Sequence, residues 1–114
     1  MHPSPPESLP VGLIGLGLLG GVLAERLLAG GFAVTGFDVD PARLESFRRN
    51  GGLPVLDAAA VFVHCPRVLL SLPTHREVAA VLQANAATLR PGTLILDTTT
   101  GDPAFRPGAL MGAS

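Results

Sequence analysis

The sequence predicts an α/β fold, a doubly wound parallel sheet with helices on both faces. Three observations predict it. The strand segments are continuously apolar rather than alternating, which is the pattern of strands buried on both sides. They alternate with helical segments at short spacing, as βαβ units do. A glycine-rich turn, Gly15 to Gly20, joins the first strand to the first helix.

Pro10 to Ile14 is the first short strand. Leu18 to Ala29 then has helical periodicity, with Leu19, Val22, Leu23 and Leu27 on one stripe and Glu25-Arg26 opposite. Gly30-Gly31 ends this helix, because its left-handed terminal position favours glycine. Phe32 to Phe37 is the second strand, and Asp38 closes it. Asp40 is a good N-cap and Pro41 suits the first helical position. Leu44 and Phe47 form the inner stripe of that second helix, and Asn50-Gly51-Gly52 stop it. A short strand near Leu53 to Val55 and a short helix near Asp57 to His64 follow. Arg67 to Leu72 is a strand closed by Pro73. Thr74-His75-Arg76-Glu77 matches a capping box, in which threonine and glutamate each satisfy an orphan backbone N–H. The helix it opens carries Val78, Val81, Leu82 and Leu89 inward and is broken at Pro91-Gly92. Thr93 to Leu96 is another buried strand, followed by Asp97-Thr98-Thr99-Thr100.

The organisation expected is a Pro/Ser-rich flexible tail over 1–9, one domain over 10–104 and an irregular tail over 105–114. Asp102-Pro103-Ala104 looks like a helix start, which Phe105-Arg106-Pro107-Gly108 would break within a turn. Residues 109–114 carry no readable pattern. The chain has 114 residues, 47% of them apolar and 15% charged, ample for a packed core. The net charge of −1 gives no electrostatic footprint for nucleic acid or for an anionic membrane surface. The apolar run from Val11 to Ala24 is too short to span a bilayer. No secretory leader is recognised, so the expected location is cytoplasmic. One cysteine makes no internal disulfide and is too few for a structural zinc site, and no metal site is expected. All eight basic residues are arginine, which excludes any chemistry that needs a lysine of this chain.

Gly15-Leu16-Gly17-Leu18-Leu19-Gly20 is G-x-G-x-x-G. Alone this spacing is a weak signal. Here it follows a strand, opens a helix and is matched by Asp38 at the end of the next strand, about 20 residues on, which is the Rossmann-like dinucleotide-binding fingerprint. Gly15 allows the tight turn, Gly17 lets the backbone approach a pyrophosphate, and Gly20 lets helix pack on strand. The helix N-terminus offers unpaired N–H groups and partial positive charge to phosphates. The Asp38 carboxylate can accept hydrogen bonds from ribose hydroxyls and would repel a 2′-phosphate. With Val39 rather than arginine beside it, this favours NAD over NADP. A P-loop is excluded, since no G-K-[ST] follows; a flavin site uses a similar fingerprint and stays open.

With three motifs in view, the sequence resembles the β-hydroxyacid dehydrogenases, including 3-hydroxyisobutyrate dehydrogenase and the NAD-binding domain of 6-phosphogluconate dehydrogenase. The motifs are G-L-I-G-L-G-L-L-G at Gly12 to Gly20, L-L-S-L-P-T at Leu69 to Thr74, and D-T-T-T-G-D-P at Asp97 to Pro103. The resemblance covers roughly Val11 to Pro103, an N-terminal part only. It implies that Leu72 and Pro73 line the nicotinamide ribose side of the cofactor and that Thr100 contacts the nicotinamide end. Thr99 stands where the family has a substrate-binding serine. The family's catalytic lysine lies beyond this part, on a mostly helical domain, so the chain is expected to be truncated relative to the family and incomplete for catalysis. The resemblance implies hydride transfer between a nicotinamide cofactor and a small 3-hydroxyacid. The alternatives are a stand-alone NAD-binding module and a non-functional truncated product. His75 reads as a solvent-exposed first-turn residue, His64-Cys65 as a helix end, and the arginines as solvated charges.

Overall fold

The computed structural model describes residues 9–99 and the backbone of 110–112; residues 1–8 of the tail expected over 1–9, Thr100 and the helix start at Asp102 lie outside the described residues. The elements run β1 Val11–Ile14, α1 Leu18–Ala29, β2 Val34–Phe37, α2 Pro41–Arg49, β3 Leu53–Pro54, α3 Ala58–His64, β4 Arg67–Leu70, α4 His75–Ala84, β5 Leu94–Asp97 and β6 Leu110–Gly112. They form one sheet in the order β3-β2-β1-β4-β5-β6. Every pairing among β1 to β5 is parallel. The strand order reverses direction between β1 and β4, and in such a sheet ligands bind beyond the strand ends at that reversal.

β1 shows why the strands read as continuously apolar. All four of its residues are buried, and successive side chains point to opposite faces. Leu13 joins a core with Ala24, Val34 and Phe47, packed by α1 and α2. Ile14 joins the other core with Val61, Phe62, Val68, Leu70, Val78 and Ile95, packed by α3 and α4. The sheet is therefore sandwiched between two helical layers. Cys65 caps α3 and belongs to the second core. Its burial pushes the thiol pKa up.

The helix ends follow the local signals. Phe32 N–H donates to Leu27 O and Gly31 N–H to Leu28 O, with Gly31 at φ +90. Gly52 and Gly51 repeat the pattern on Phe47 O and Arg48 O. These are Schellman closures, which need a left-handed residue that glycine adopts without strain. The first closure also moves the start of β2 from Phe32 to Val34, because the Phe32 amide is already used.

Several expectations need correction. The inner stripe of α1 is Gly20, Leu23, Ala24, Leu27 and Leu28. Leu19 and Val22, expected inside, are 42% and 40% exposed. Gly20 decides this: it sits so close to the first turn that its face must be the inner one. α4 stops at Ala84 rather than running to Pro91-Gly92. The Asn85 side chain donates to Val81 O at 2.8 Å, a local bond with which asparagine competes against helix continuation. Leu89 still packs against the core from the following turn. β4 ends at Leu70 instead of Leu72, since the Leu72 amide bonds to a threonine hydroxyl instead of a strand. Within the segment 105–114, read as irregular, Leu110–Gly112 forms an edge strand antiparallel to β5. Three residues are shorter than any window in which periodicity can be recognised.

Candidate functional site

A cleft of about 480 Å³ opens at the carboxyl ends of β1, β2, β4 and β5, within the roughly 300–1,000 Å³ usual for small-molecule sites. Its floor is the glycine turn. Gly15 has φ +100, and a Cβ there would lie 2.0 Å from Ser71 O. A Cβ on Gly20 would lie 1.9 Å from Gly15 O. Both glycines are thus required by close backbone approach as the chain turns from strand into helix. Gly17 is the N-cap of α1, and only the Arg43 guanidinium comes near its Cβ position, at 3.4 Å.

Each helix start can be compared. Asp40, Asp57 and Thr74 cap α2, α3 and α4 by accepting backbone N–H bonds from Ala42, Ala60 and Glu77. α1 has no side-chain cap. Its first amides, with the positive end of the helix dipole, are left for a group outside the helix. Gly17, Leu18 and Leu19 all line the cleft.

Asp38 stands at one end. It is 6% exposed. Its Oδ2 accepts the Leu16 N–H at 2.7 Å and its Oδ1 accepts the Asp40 N–H at 2.8 Å. The carboxylate therefore ties the glycine turn to the start of α2, and each oxygen keeps further acceptor capacity toward the cleft. The Arg43 guanidinium lies 3.7 Å from Asp38 Oδ2 and 3.7 Å from Asp40 Oδ2. Sequence reasoning took Arg43 for a solvated charge. The available signal was the Asp40-Pro41 helix start, which places position 43 on the first turn, facing back toward Asp38.

At the other end Leu72, Pro73, Glu77 and Thr98 line the cleft. Thr98 Oγ1 donates to Leu70 O at 2.8 Å. Thr99, expected at a substrate, is fully buried, and its hydroxyl accepts the Leu72 N–H at 3.0 Å. At the end of β5 the hydroxyl-bearing residue that lines the cleft is Thr98, one position earlier, because alternation turns Thr99 inward. His75, expected in solvent, is 29% exposed in its side chain and sits 3.7 Å from Asp97. Thr74 Oγ1 accepts the Glu77 amide at 3.2 Å, but the Glu77 carboxylate lies 3.5 Å from the Thr74 hydroxyl rather than on the Thr74 amide, so half of the expected capping box forms.

Of the expected cofactor residues, Gly15, Gly17, Leu18, Leu19, Asp38, Leu72 and Pro73 come together around the cleft. Leu16 and Gly20 are buried behind it, acting through backbone position. Thr100 lies outside the described residues. No helix among the described residues is long and apolar enough to cross a membrane.

The comparisons with known proteins agree with this geometry. Residues 10–106 match the family described as the NAD binding domain of 6-phosphogluconate dehydrogenase. The chain is 35% identical over 98 residues to L-threonate dehydrogenase of Cupriavidus necator, covering 83% of this chain and 33% of that protein. It is 34% identical over 98 residues to the mitochondrial 3-hydroxyisobutyrate dehydrogenase of Homo sapiens, covering 83% and 29%. The structure of Mycobacterium tuberculosis 3-hydroxyisobutyrate dehydrogenase with L-serine superposes with a TM-score of 0.77 at 27% identity, covering 81% of this chain and 32% of that one. The chain thus spans about a third of the length of these relatives. With an uncapped helix over a glycine turn, a carboxylate at the end of β2 and a family match over most of its length, the chain belongs to the family described as the NAD binding domain of 6-phosphogluconate dehydrogenase.

Proposed function

We propose that the cleft binds NAD(H) in preference to NADP(H), with the adenosine ribose at Asp38, the diphosphate on the start of α1 and the nicotinamide half toward Leu72, Pro73 and Thr98. The observation that carries this reading is the missing cap of α1 above Gly17. A diphosphate supplies the acceptors that a capping side chain supplies on the other helices. The preference for NAD rests on charge. Arg43 already faces two carboxylates, Asp38 and Asp40, each at 3.7 Å. A 2′-phosphate placed there would meet more negative than positive charge.

The bound dinucleotide supplies hydride chemistry. The chain's own residues orient it: Asp38 holds the ribose and the turn, and Leu72 and Pro73 give the far end an apolar wall. The names of the relatives, L-threonate and 3-hydroxyisobutyrate dehydrogenases, support a small hydroxyacid as the reaction partner of the whole protein. This chain contains no lysine, so a lysine that accepts the hydroxyl proton would have to come from outside it. We therefore read the chain as the cofactor-binding part of such a dehydrogenase.

The test is a titration of the chain with NADH and NADPH, followed by nicotinamide fluorescence, in a protein free of tryptophan and tyrosine. Saturable binding at least tenfold tighter for NADH is expected. Asp38→Ala should weaken NADH at least tenfold, because the loop amides of Leu16 and Asp40 lose their acceptor together with the ribose. Equal affinity for both cofactors would refute the preference, and no binding of either would refute the site.

A further inference from the structure

Asp97 closes β5 and is 2% exposed. A carboxylate at that depth is costly unless its oxygens are paired. Its Oδ1 accepts the Thr99 N–H at 2.8 Å, and its Oδ2 lies 3.7 Å from His75 Nδ1. Thr99 in turn accepts the Leu72 N–H through its hydroxyl. His75 is the first residue of α4, three positions after Leu72. The connections thus form a closed ring: His75 to Asp97, Asp97 to Thr99, Thr99 to Leu72, and back along the chain to His75. The ring joins the end of β5, the β4–α4 turn and the start of α4, and its Leu72 corner faces the cleft.

The other end of the cleft has the same plan. Asp38 accepts the amide two residues ahead, as Asp97 does, and faces one basic side chain, Arg43, at 3.7 Å. At that end the carboxylate itself reaches the cleft. At the Asp97 end it does not, and among the described residues the contacts lead from His75 to the cleft through Asp97, Thr99 and Leu72.

We infer that His75 is a positioning residue for the nicotinamide half of the cofactor. By holding Asp97 it fixes Thr99, and through Thr99 it fixes the Leu72–Pro73 wall. Removing His75 leaves a buried carboxylate with one partner fewer, and such a group draws in water or shifts toward solvent. Either response loosens the Thr99 bond that pins Leu72. The adenosine end, tied by Asp38 and the glycine turn, stays as it is. The assignment rests on the reading of the cleft as a nicotinamide dinucleotide site.

The experiment measures, by calorimetry, the affinities of ADP and NADH for the wild-type chain, His75→Ala and His75→Gln. ADP reports the adenosine and diphosphate end alone. In His75→Ala we expect NADH to bind about tenfold more weakly while ADP stays within twofold of wild type. His75→Gln, which keeps an N–H donor near Asp97, should recover part of the NADH affinity. If NADH is unaffected by His75→Ala, or if ADP falls as far as NADH, the assignment is overturned while the reading of the cleft survives. A wild-type chain that binds neither ligand overturns the reading of the cleft, and this assignment with it. Should His75→Ala fail to fold, His75→Gln decides alone: a loss confined to NADH supports the assignment, and wild-type NADH affinity or an equal loss of ADP overturns it.

Discussion

Gly20 shows how little room a single residue has at this site. Its hydrogen stands where a Cβ would lie 1.9 Å from Gly15 O, and the obstacle is backbone, which cannot rotate away. Gly20→Ala must push α1 off the sheet, an overpacking that costs about 1–3 kcal/mol. We expect that loss in urea unfolding, together with loss of NADH binding, since the displaced helix carries the amides proposed to hold the diphosphate. Unchanged stability would mean that the turn is looser than its geometry. The same contact explains why Leu19 and Val22 are outside and Ala24 is inside. Gly20 was legible in the sequence as a packing glycine, but its consequence for the neighbouring stripe was not. Five leucines and a valine in α1 permit more than one inner face, and the contact with Gly15 chooses. His75 was misplaced for a related reason: residue type and spacing tell which side chains are polar, whereas the partner that draws one in comes from another element.

Among the elements, the helices were the most legible, because their ends are written locally in caps and glycines. Asp40, Asp57 and Thr74 each start a helix where a short polar acceptor precedes an amide two or three residues on. α4 gives the cleanest measurement of such a start, because its glutamate contributes no second backbone bond. Thr74→Ala should remove one satisfied amide, costing about 1 kcal/mol and lowering Tm by about 5 °C. Thr74→Ser should keep nearly all of both. A loss equal in the two variants would assign the effect to the methyl group and not to the cap. The far end of α4 was less legible. Asn85 is an ordinary polar residue in the sequence and becomes a terminator only through its bond to Val81 O. β6 left no pattern at all, since its three residues are defined by pairing with β5 rather than by their own composition.

For the molecule as a whole, the fold class followed from the order of the segments and from strands apolar at every position, and the location of the cleft followed from the reversal between β1 and β4. What the sequence left open was how the two ends of that cleft are built. Each relies on a carboxylate that accepts the amide two residues ahead of it. On the proposed reading, in which a diphosphate completes the first turn of α1, binding and folding share one equilibrium. At NADH concentrations 100 times Kd, stability should rise by about 2.7 kcal/mol. A thermal scan should show Tm rising with NADH and, for NADPH at an equal concentration and tenfold weaker affinity, rising about half as far. Parallel shifts with both would mean equal affinities and would refute the preference for NADH.

β3 ends the sheet with only Leu53 and Pro54. The Val55 N–H points inward, donating to Gly36 O at 3.0 Å, so alternation turns Pro54 toward the open side. That position would offer the outward N–H, and proline has none. A free sheet margin is a template on which other chains can add strands and grow into aggregates, and short length and proline are the features that blunt it. Here both coincide at the one outward-facing residue. Leu53 and Leu56 can therefore remain largely exposed beside this margin without the backbone ladder that would turn two sticky side chains into the seed of a fibril.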